Sequence, residues 1–564
     1  KSMSVLFPAL KSMGNESVGP IFYLTARGTT RTAAENALAI LRDTEPELHL
    51  RSVTLTAKDK ICLCETRECT PEACPYANGY YARIKGALWD VLDVPCLTAE
   101  TLQEYAKRHT VCPFELGLDS SLWSDVLIGD YNYLFDPVVH LVRFFESAGD
   151  YIVLVDEAHS LPGRAREMHS AALTKTSFYE AKKLLGKGKS SLKNALTKVN
   201  DVFIEWRHRA EEETAARDGR FGKTFFLKER SEEFDHLLNR LCEPLEAWLD
   251  DHREPDETHT ALLQLYFDVR AWLRVADTFD DHFVLQITAS GSEVRAAQLC
   301  LDPSAFLADS FALGRAAVLF SATLAPASYY KDLCGVPEAR AVALRSPFPA
   351  GNQGLFCIGN VSTRYKDRDA SLAIVAESLA TMVRARCGNY LAFFPSYAYM
   401  EQAYAQFKEH CPEINCIKQE NAMDEQQKAA FLAQFVPGPS QTLLGFAVMG
   451  GVFGEGVDLT GDRLIGVGIV GPGLPQVGPR QEQLRDYFEQ TRGSGFDYAY
   501  RYPGMNKVLQ AAGRVIRTPR DKGVVLLIDN RFAMPDYRRL MPPHWSHLKI
   551  IYDTEELERE LWRF

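Results

Sequence analysis

The chain has 564 residues and a net charge of −11, so there is no overall attraction to nucleic acid, and any polyanion must meet a local basic groove. At roughly 150 residues per domain the length suggests three or four domains, with a core large enough to need no disulfide staples. The chain contains no run of eighteen apolar residues and no basic-then-apolar leader, which argues against a membrane span or secretory signal and sets the expectation of a soluble, cytoplasmic protein.

In chain order, KSMSVLFPALKSMG has a helical apolar pattern ended by Gly14, IFYLTA (21–26) is a β-rich run, and RTAAENALAILR is an amphipathic helix. Helix, strand, helix is the rhythm of a parallel α/β sheet. A cysteine-rich segment interrupts it from about 57 to 120, and YIVLVD (151–156) resumes it as a buried strand ending on an acid. From about 165 to 300 the pattern becomes long charged helices with apolar residues three and four apart. AAVLFSAT (316–323) returns to strand, and after SPFP (346–349) a second α/β series runs through NYLAFFPS, QTLLGFAVMG, RLIGVGIVG and GVVLLID. Two α/β units therefore flank two insertions, with no internal repeat of fixed period.

Cys62, Cys64, Cys69 and Cys74 fall within thirteen residues, and Cys96 and Cys112 follow. In a reducing compartment such crowding points to a metal more than to disulfides. Cys242, Cys300, Cys334, Cys357, Cys387, Cys411 and Cys416 are scattered and read as inert thiols.

Four further stretches carry chemistry. VLVDEAHSL puts Asp156 and Glu157 at the carboxyl end of an apolar strand, the edge where open α/β sheets bind ligands. There an aspartate can hold magnesium and a glutamate can polarise a water for attack on phosphorus, with His159 reporting the phosphate state; capping of the next helix is the bland alternative. In QAAGRVIR (510–517), Arg514 and Arg517 stand three apart, so a helix would project both guanidiniums from one face, toward a γ-phosphate or merely toward solvent. GEGVDL (454–459) sets Gly454 and Gly456 around Glu455, with Asp458 close behind, a loop that can feel a nucleotide or a plain turn. SATL (321–324) is a hydroxyl-bearing turn suited to coupling the two α/β units.

Taken in order, DEAH, SAT, GEGVDL and QAAGRVIR resemble a superfamily 2 helicase with two RecA-like P-loop motor domains, and the cysteine insertion makes the chain similar to the XPD/DinG family of iron-sulfur DNA helicases. The likeness extends through YLTARGTTR, DYNYLFDP and RYPGMNKVLQAAGRVIR. It implies an α/β fold with motor domain 1 in three parts (1–52, 126–164, 305–345), an iron-sulfur domain at 53–125, a helical arch at 165–304 and motor domain 2 at 346–564. It implies an ATP hydrolase that uses Mg2+ and moves 5′ to 3′ on single-stranded DNA, unwinding forked duplexes in repair or replication, as a monomer away from membranes.

Residue by residue, the resemblance assigns Lys1 to the β and γ phosphates and Ser2 to magnesium, as the end of a phosphate loop whose glycines are expected upstream of Lys1. Asp156, Glu157 and His159 would act at the nucleotide with Gln510, Arg514 and Arg517, and Gly454, Glu455 and Asp458 would line it. Cys62, Cys69, Cys74 and Cys112 look like the thiolates of a 4Fe-4S cluster, with Cys64 the rival for second place and zinc the rival metal. Thr25, Arg27, Arg31, Tyr131, Asn132 and Tyr133 would touch DNA. The aromatic and basic mixture of Tyr76, Tyr80, Tyr81 and Arg83 would stack and steer a strand or fill a small core, and Lys182, Lys183, Lys187, Lys189, Lys193 and Lys198 form a basic patch in the arch. Two other classes stay open: a nucleic-acid-binding scaffold with a dead motor, and an iron-sulfur redox enzyme.

Overall fold

IFYLT and IVLVD are apolar at almost every position, the composition of strands buried on both faces in the middle of a parallel sheet. A computed structural model of the chain places them so, and describes every residue except 17, 27, 46, 188–189, 217–221, 255, 452 and 455–458. The chain divides into two units, residues 1–321 with 332–337, and residues 322–331 with 338–564.

In the first unit the strands are β1 (Ile21–Thr25), β2 (Ser52–Thr54), β3 (Cys96–Leu97), β4 (Val126–Asp130) and β5 (Ile152–Asp156). An inserted region then carries β6 (Ala171–Thr174), β7 (Lys223–Leu227), β8 (Phe283–Ser290) and β9 (Glu293–Cys300), before β10 (Ala316–Phe320) rejoins the first sheet. That sheet is parallel throughout, in the order β10-β5-β1-β4-β2-β3. Its register pairs Phe320 with Asp156 and Thr25 with Asp130, bringing the carboxyl ends of four strands to one edge.

The cysteine-rich insertion is helical, built on Lys58–Ile61, Tyr80–Val91, Ala99–His109 and Pro113–Ser120. The inserted region at 165–304, expected to be a helical arch, is not purely helical. Helices Lys175–Leu184, Ser191–Ala216, Glu232–Asp251 and Glu257–Asp277 accompany an antiparallel sheet of order β6-β9-β8-β7. The hairpin β8–β9 turns on Gly291 and Ser292, with Gly291 at φ +60°, a conformation glycine adopts without Cβ strain. The arch core centres on Phe203, Trp206, Phe234 and Trp272, and the Trp272 indole N–H donates to buried Asp235 at 2.8 Å.

The second unit contains β11 (Gln353–Ile358), β12 (Asn389–Phe394), β13 (Asn415–Lys418), β14 (Leu443–Val448), β15 (Gly466–Val470), β16 (Gly523–Ile528) and β17 (Lys549–Ile551), all parallel in the order β13-β14-β12-β15-β16-β11-β17. Side chains alternate faces along each strand, so Leu391 and Phe393 enter one core while Tyr390, Ala392 and Phe394 enter the other. Residues 322–331 belong with this unit because Tyr329 packs edge-on to Tyr498 and Tyr502 and the Asn506 amide donates to the Thr323 carbonyl at 3.2 Å.

No described helix is long and apolar enough to cross a membrane.

Candidate functional site

β5 delivers Asp156 to the carboxyl edge of the first sheet, 4% exposed. Its Oδ1 accepts the Glu157 backbone N–H at 2.8 Å, and its Oδ2 accepts the Tyr23 hydroxyl at 2.8 Å. The Tyr131 hydroxyl donates to the Asp156 carbonyl. Burial, the main cause, raises the Asp156 carboxyl above its ordinary range, although Tyr23 and Lys1 act against it.

Glu157 takes a left-handed backbone, φ +49°, a strained conformation for a residue with a side chain and one that clusters at functional turns. Its Oε1 accepts the Lys1 ammonium at 2.8 Å, and its Oε2 accepts the Ser321 hydroxyl at 2.9 Å. His159 Nδ1 lies 2.7 Å from the Ser321 hydroxyl and 3.2 Å from Glu157 Oε2. Burial pushes the Glu157 carboxyl up, but the hydrogen bond from His159 and the charge of Lys1 outweigh it and hold the group well below the usual carboxylate range. Ser2 joins through Tyr23, whose hydroxyl oxygen is 2.9 Å from Ser2 Oγ.

Lys1, Ser2, Asp156, Glu157 and His159 are thus brought together in one unit. A cation, a hydroxyl and two carboxylates at a sheet edge are the hard-oxygen and positive groups that a magnesium-bound polyphosphate requires. The sequence reading singled out these five but passed over Tyr23 and gave Ser321 only as part of a coupling turn. The alternation of Ile21, Tyr23 and Thr25 put Tyr23 on a defined face of β1, but nothing in it named Asp156 as the neighbour.

In the second unit, Gln510 lies half-buried in the last turn of helix Tyr502–Ala512. That helix ends before Gly513, so Arg514 and Arg517 lie in the turn and loop beyond it and do not share a helical face, contrary to the expectation from their spacing. Beyond the helix end Asp521 accepts the backbone N–H groups of Arg517 and Thr518, each at 2.7 Å, in the loop that leads into β16. Arg514 Nη2 donates to the Gly454 carbonyl at 2.9 Å, tying it to the start of the GEGVDL loop, while Arg517 is exposed. Glu455 and Asp458 lie outside the described residues.

The residues expected at DNA fare differently. Arg27 lies outside the described residues. Thr25 and Tyr131 are fully buried and Tyr133 is 6% exposed, so these three side chains are core groups and not strand contacts. Their apolar surfaces fill the region beneath the sheet edge, and the Tyr131 proton is used on Asp156. Asn132 accepts from Arg164 Nη2 at 3.2 Å, and Arg31 is half-buried. In the arch, Lys183, Lys187 and Lys198 are exposed, and Lys189 lies outside the described residues.

Among the cysteines, Cys64 Sγ lies 3.8 Å from Cys74 Sγ and also neighbours Cys62; its thiol is pushed up to about 11, first by burial and then by Cys74. Cys112 occupies the N-cap of Pro113–Ser120 and faces the backbone N–H groups of Phe114 and Glu115, while Lys58 lies near both Cys69 and Cys112. Among the described residues no three His, Cys, Asp or Glu side chains are arranged as a metal-holding group. The donor chemistry nevertheless fits a thiolate-bound centre, since six cysteines sit on one small insertion, and Lys58 with the N–H groups of Phe114 and Glu115 acts on Cys112 against the burial that raises its thiol.

Residues 45–178 match the DEAD_2 family model and residues 379–548 the helicase C-terminal domain model. The chain is 23% identical to the general transcription and DNA repair factor IIH helicase subunit XPD of Schizosaccharomyces pombe, over 82% of this chain and 70% of that one. It is 21% identical to the ATP-dependent DNA helicase CHL1 of Coccidioides immitis (80% and 60%) and 22% identical to regulator of telomere elongation helicase 1 of Rattus norvegicus (88% and 45%). It therefore spans less than two thirds of the last two. A solved XPD helicase aligns over 98% of this chain and 94% of its own with TM-score 0.63 and 17% identity, and S. tokodaii Xpd4 over 98% and 99% with TM-score 0.56 and 14% identity. This chain shares their fold.

Proposed function

Because the chain belongs to the XPD/DinG-like superfamily 2 helicases, we propose that it is an ATP-dependent DNA helicase that translocates 5′ to 3′ on single-stranded DNA and opens forked duplexes as a monomer. The reading is carried by the convergence of Lys1, Ser2, Asp156, Glu157 and His159 at the carboxyl edge of a parallel sheet.

Lys1 would neutralise the β and γ phosphates, and Ser2 and Asp156 would hold Mg2+, which supplies charge neutralisation at the transferring phosphoryl group. Glu157, kept ionised by His159 and Lys1, is the base that takes a proton from the attacking water. Ser321 links that base to His159, so a change in the SAT turn is felt at the carboxylate. Arg514 and Arg517 are the phosphate-contacting cations of the second unit.

Cys62, Cys74 and Cys112, with a fourth thiolate from Cys64 or Cys69, would hold a 4Fe-4S cluster whose role is to stiffen the helical insertion. Iron and acid-labile sulfide in Cys64→Ser and Cys69→Ser would identify the fourth ligand: the variant that loses the cluster supplied it.

DNA-stimulated ATP hydrolysis in wild type and Glu157→Gln tests the motor. The variant is expected to lose about 10²–10³-fold in rate, because the amide cannot accept the proton. Equal rates in both proteins would end the motor reading and leave a nucleic-acid-binding scaffold.

A further inference from the structure

Tyr23 lies on β1, next to β5, and its side chain is fully buried. Its hydroxyl oxygen is 2.8 Å from Asp156 Oδ2 and 2.9 Å from Ser2 Oγ. We propose that Tyr23 is a positioning residue whose hydroxyl aligns Ser2 and Asp156 for the magnesium ion of the nucleotide, an inference that rests on the function proposed above.

A phenol has one proton, and an ionised carboxylate can only accept. The Tyr23 hydroxyl faces Asp156 Oδ2 and Ser2 Oγ, both as the donor, so its one proton is shared between a carboxylate and a serine oxygen. The contact holds Ser2 Oγ beside the carboxylate and uses only one of its two lone pairs, leaving the other for a cation. The Tyr23 hydroxyl also commits Oδ2 of Asp156 to a fixed donor, while Oδ1 is held by the Glu157 N–H, so the carboxylate plane cannot turn. A phenylalanine would pack as well in the same space; the hydroxyl is what serves the site. Magnesium demands near-ideal octahedral geometry, so small losses in ligand orientation are felt strongly.

The test is Tyr23→Phe beside Tyr131→Phe. Tyr131 is equally buried and also gives its proton to Asp156, but to the backbone carbonyl. Binding of Mn2+ to the purified protein in the presence of ATP, read by electron paramagnetic resonance, is the primary measurement, with the Mg2+ dependence of ATP hydrolysis and thermal melting alongside. Tyr23→Phe is expected to weaken Mn2+ binding about tenfold, on the scale of a lost hydrogen bond to a charged group, and to raise the Mg2+ needed for half-maximal hydrolysis similarly. Tyr131→Phe should change Mn2+ binding by less than about threefold. If Tyr23→Phe binds Mn2+ as the wild type does, or if both variants weaken it equally, Tyr23 is a packing residue and the proposal falls. If the wild type binds no Mn2+ with ATP, the proposed motor fails first and this inference with it.

Discussion

Asp529 follows β16 in the second unit and is fully buried. Its Oδ2 accepts from Thr363 N (2.9 Å), Thr363 Oγ1 (2.5 Å) and Arg531 Nη2 (2.8 Å), and its Oδ1 from Arg531 N (2.8 Å) and Nε (2.7 Å). Arg531→Ala removes two of these donors together with the balancing charge, while the Thr363 pair and the backbone N–H of residue 531 remain. Breaking a buried pair from one side costs about 3–5 kcal/mol; the three retained hydrogen bonds put this case at about 3 kcal/mol, roughly a hundredfold in the folding equilibrium. A two-unit chain does not unfold in one step, so the measurement is amide hydrogen exchange resolved on β11 and β16. Protection there should fall about a hundredfold, with β1 and β5 unaffected.

The pH dependence provides a second check on the same network. Burial raises the Asp529 carboxyl, but Arg531 and Thr363 outweigh it and depress it. A depressed folded value contributes stability above the unfolded value near 4, and that contribution is lost as pH falls through the folded value. In Arg531→Ala the folded value rises, so protection should begin to decline at a higher pH than in the wild type. Protection within about threefold of wild type, or loss spread equally to the first unit, would refute the reasoning.

Thiol chemistry should follow burial: Cys300, Cys334 and Cys357, each pushed up to about 12 chiefly by burial, should resist alkylation at pH near 8, while exposed Cys387 is modified first, as mass spectrometry of labelled peptides would show. In the arch, Trp272→Phe removes the indole N–H from buried Asp235 and should cost about 1–3 kcal/mol, read as faster exchange on Phe283–Ser290. If Ser321 holds the Glu157 base in place, Ser321→Ala should lower DNA-stimulated hydrolysis about tenfold with little change in ATP affinity; equal loss in both would mark it as a packing group.

Both parallel sheets were legible from apolar runs, because a strand buried on both faces has few other compositions. The cysteine insertion was visible as an interruption of the α/β rhythm. The hairpin β8–β9 was missed although its two apolar runs flank a Gly-Ser turn, because the charged helices around it set the reading of that region. Arg514 and Arg517 misled because residues three apart meet on one face only within a helix, and the helix ends at Ala512, before both of them. Thr25 and Tyr131 were assigned to DNA by resemblance, whereas the fold buries both side chains.

By itself the sequence determined where chain segments become strands and helices and put Asp156 and Glu157 at a strand end, since those choices rest on local periodicity and neighbouring residues. Only the tertiary structure decided that Tyr23 meets Asp156 across 133 positions and that Ser321 meets Glu157 across 164, because strand order and register bring those side chains together and neither is written in any local window.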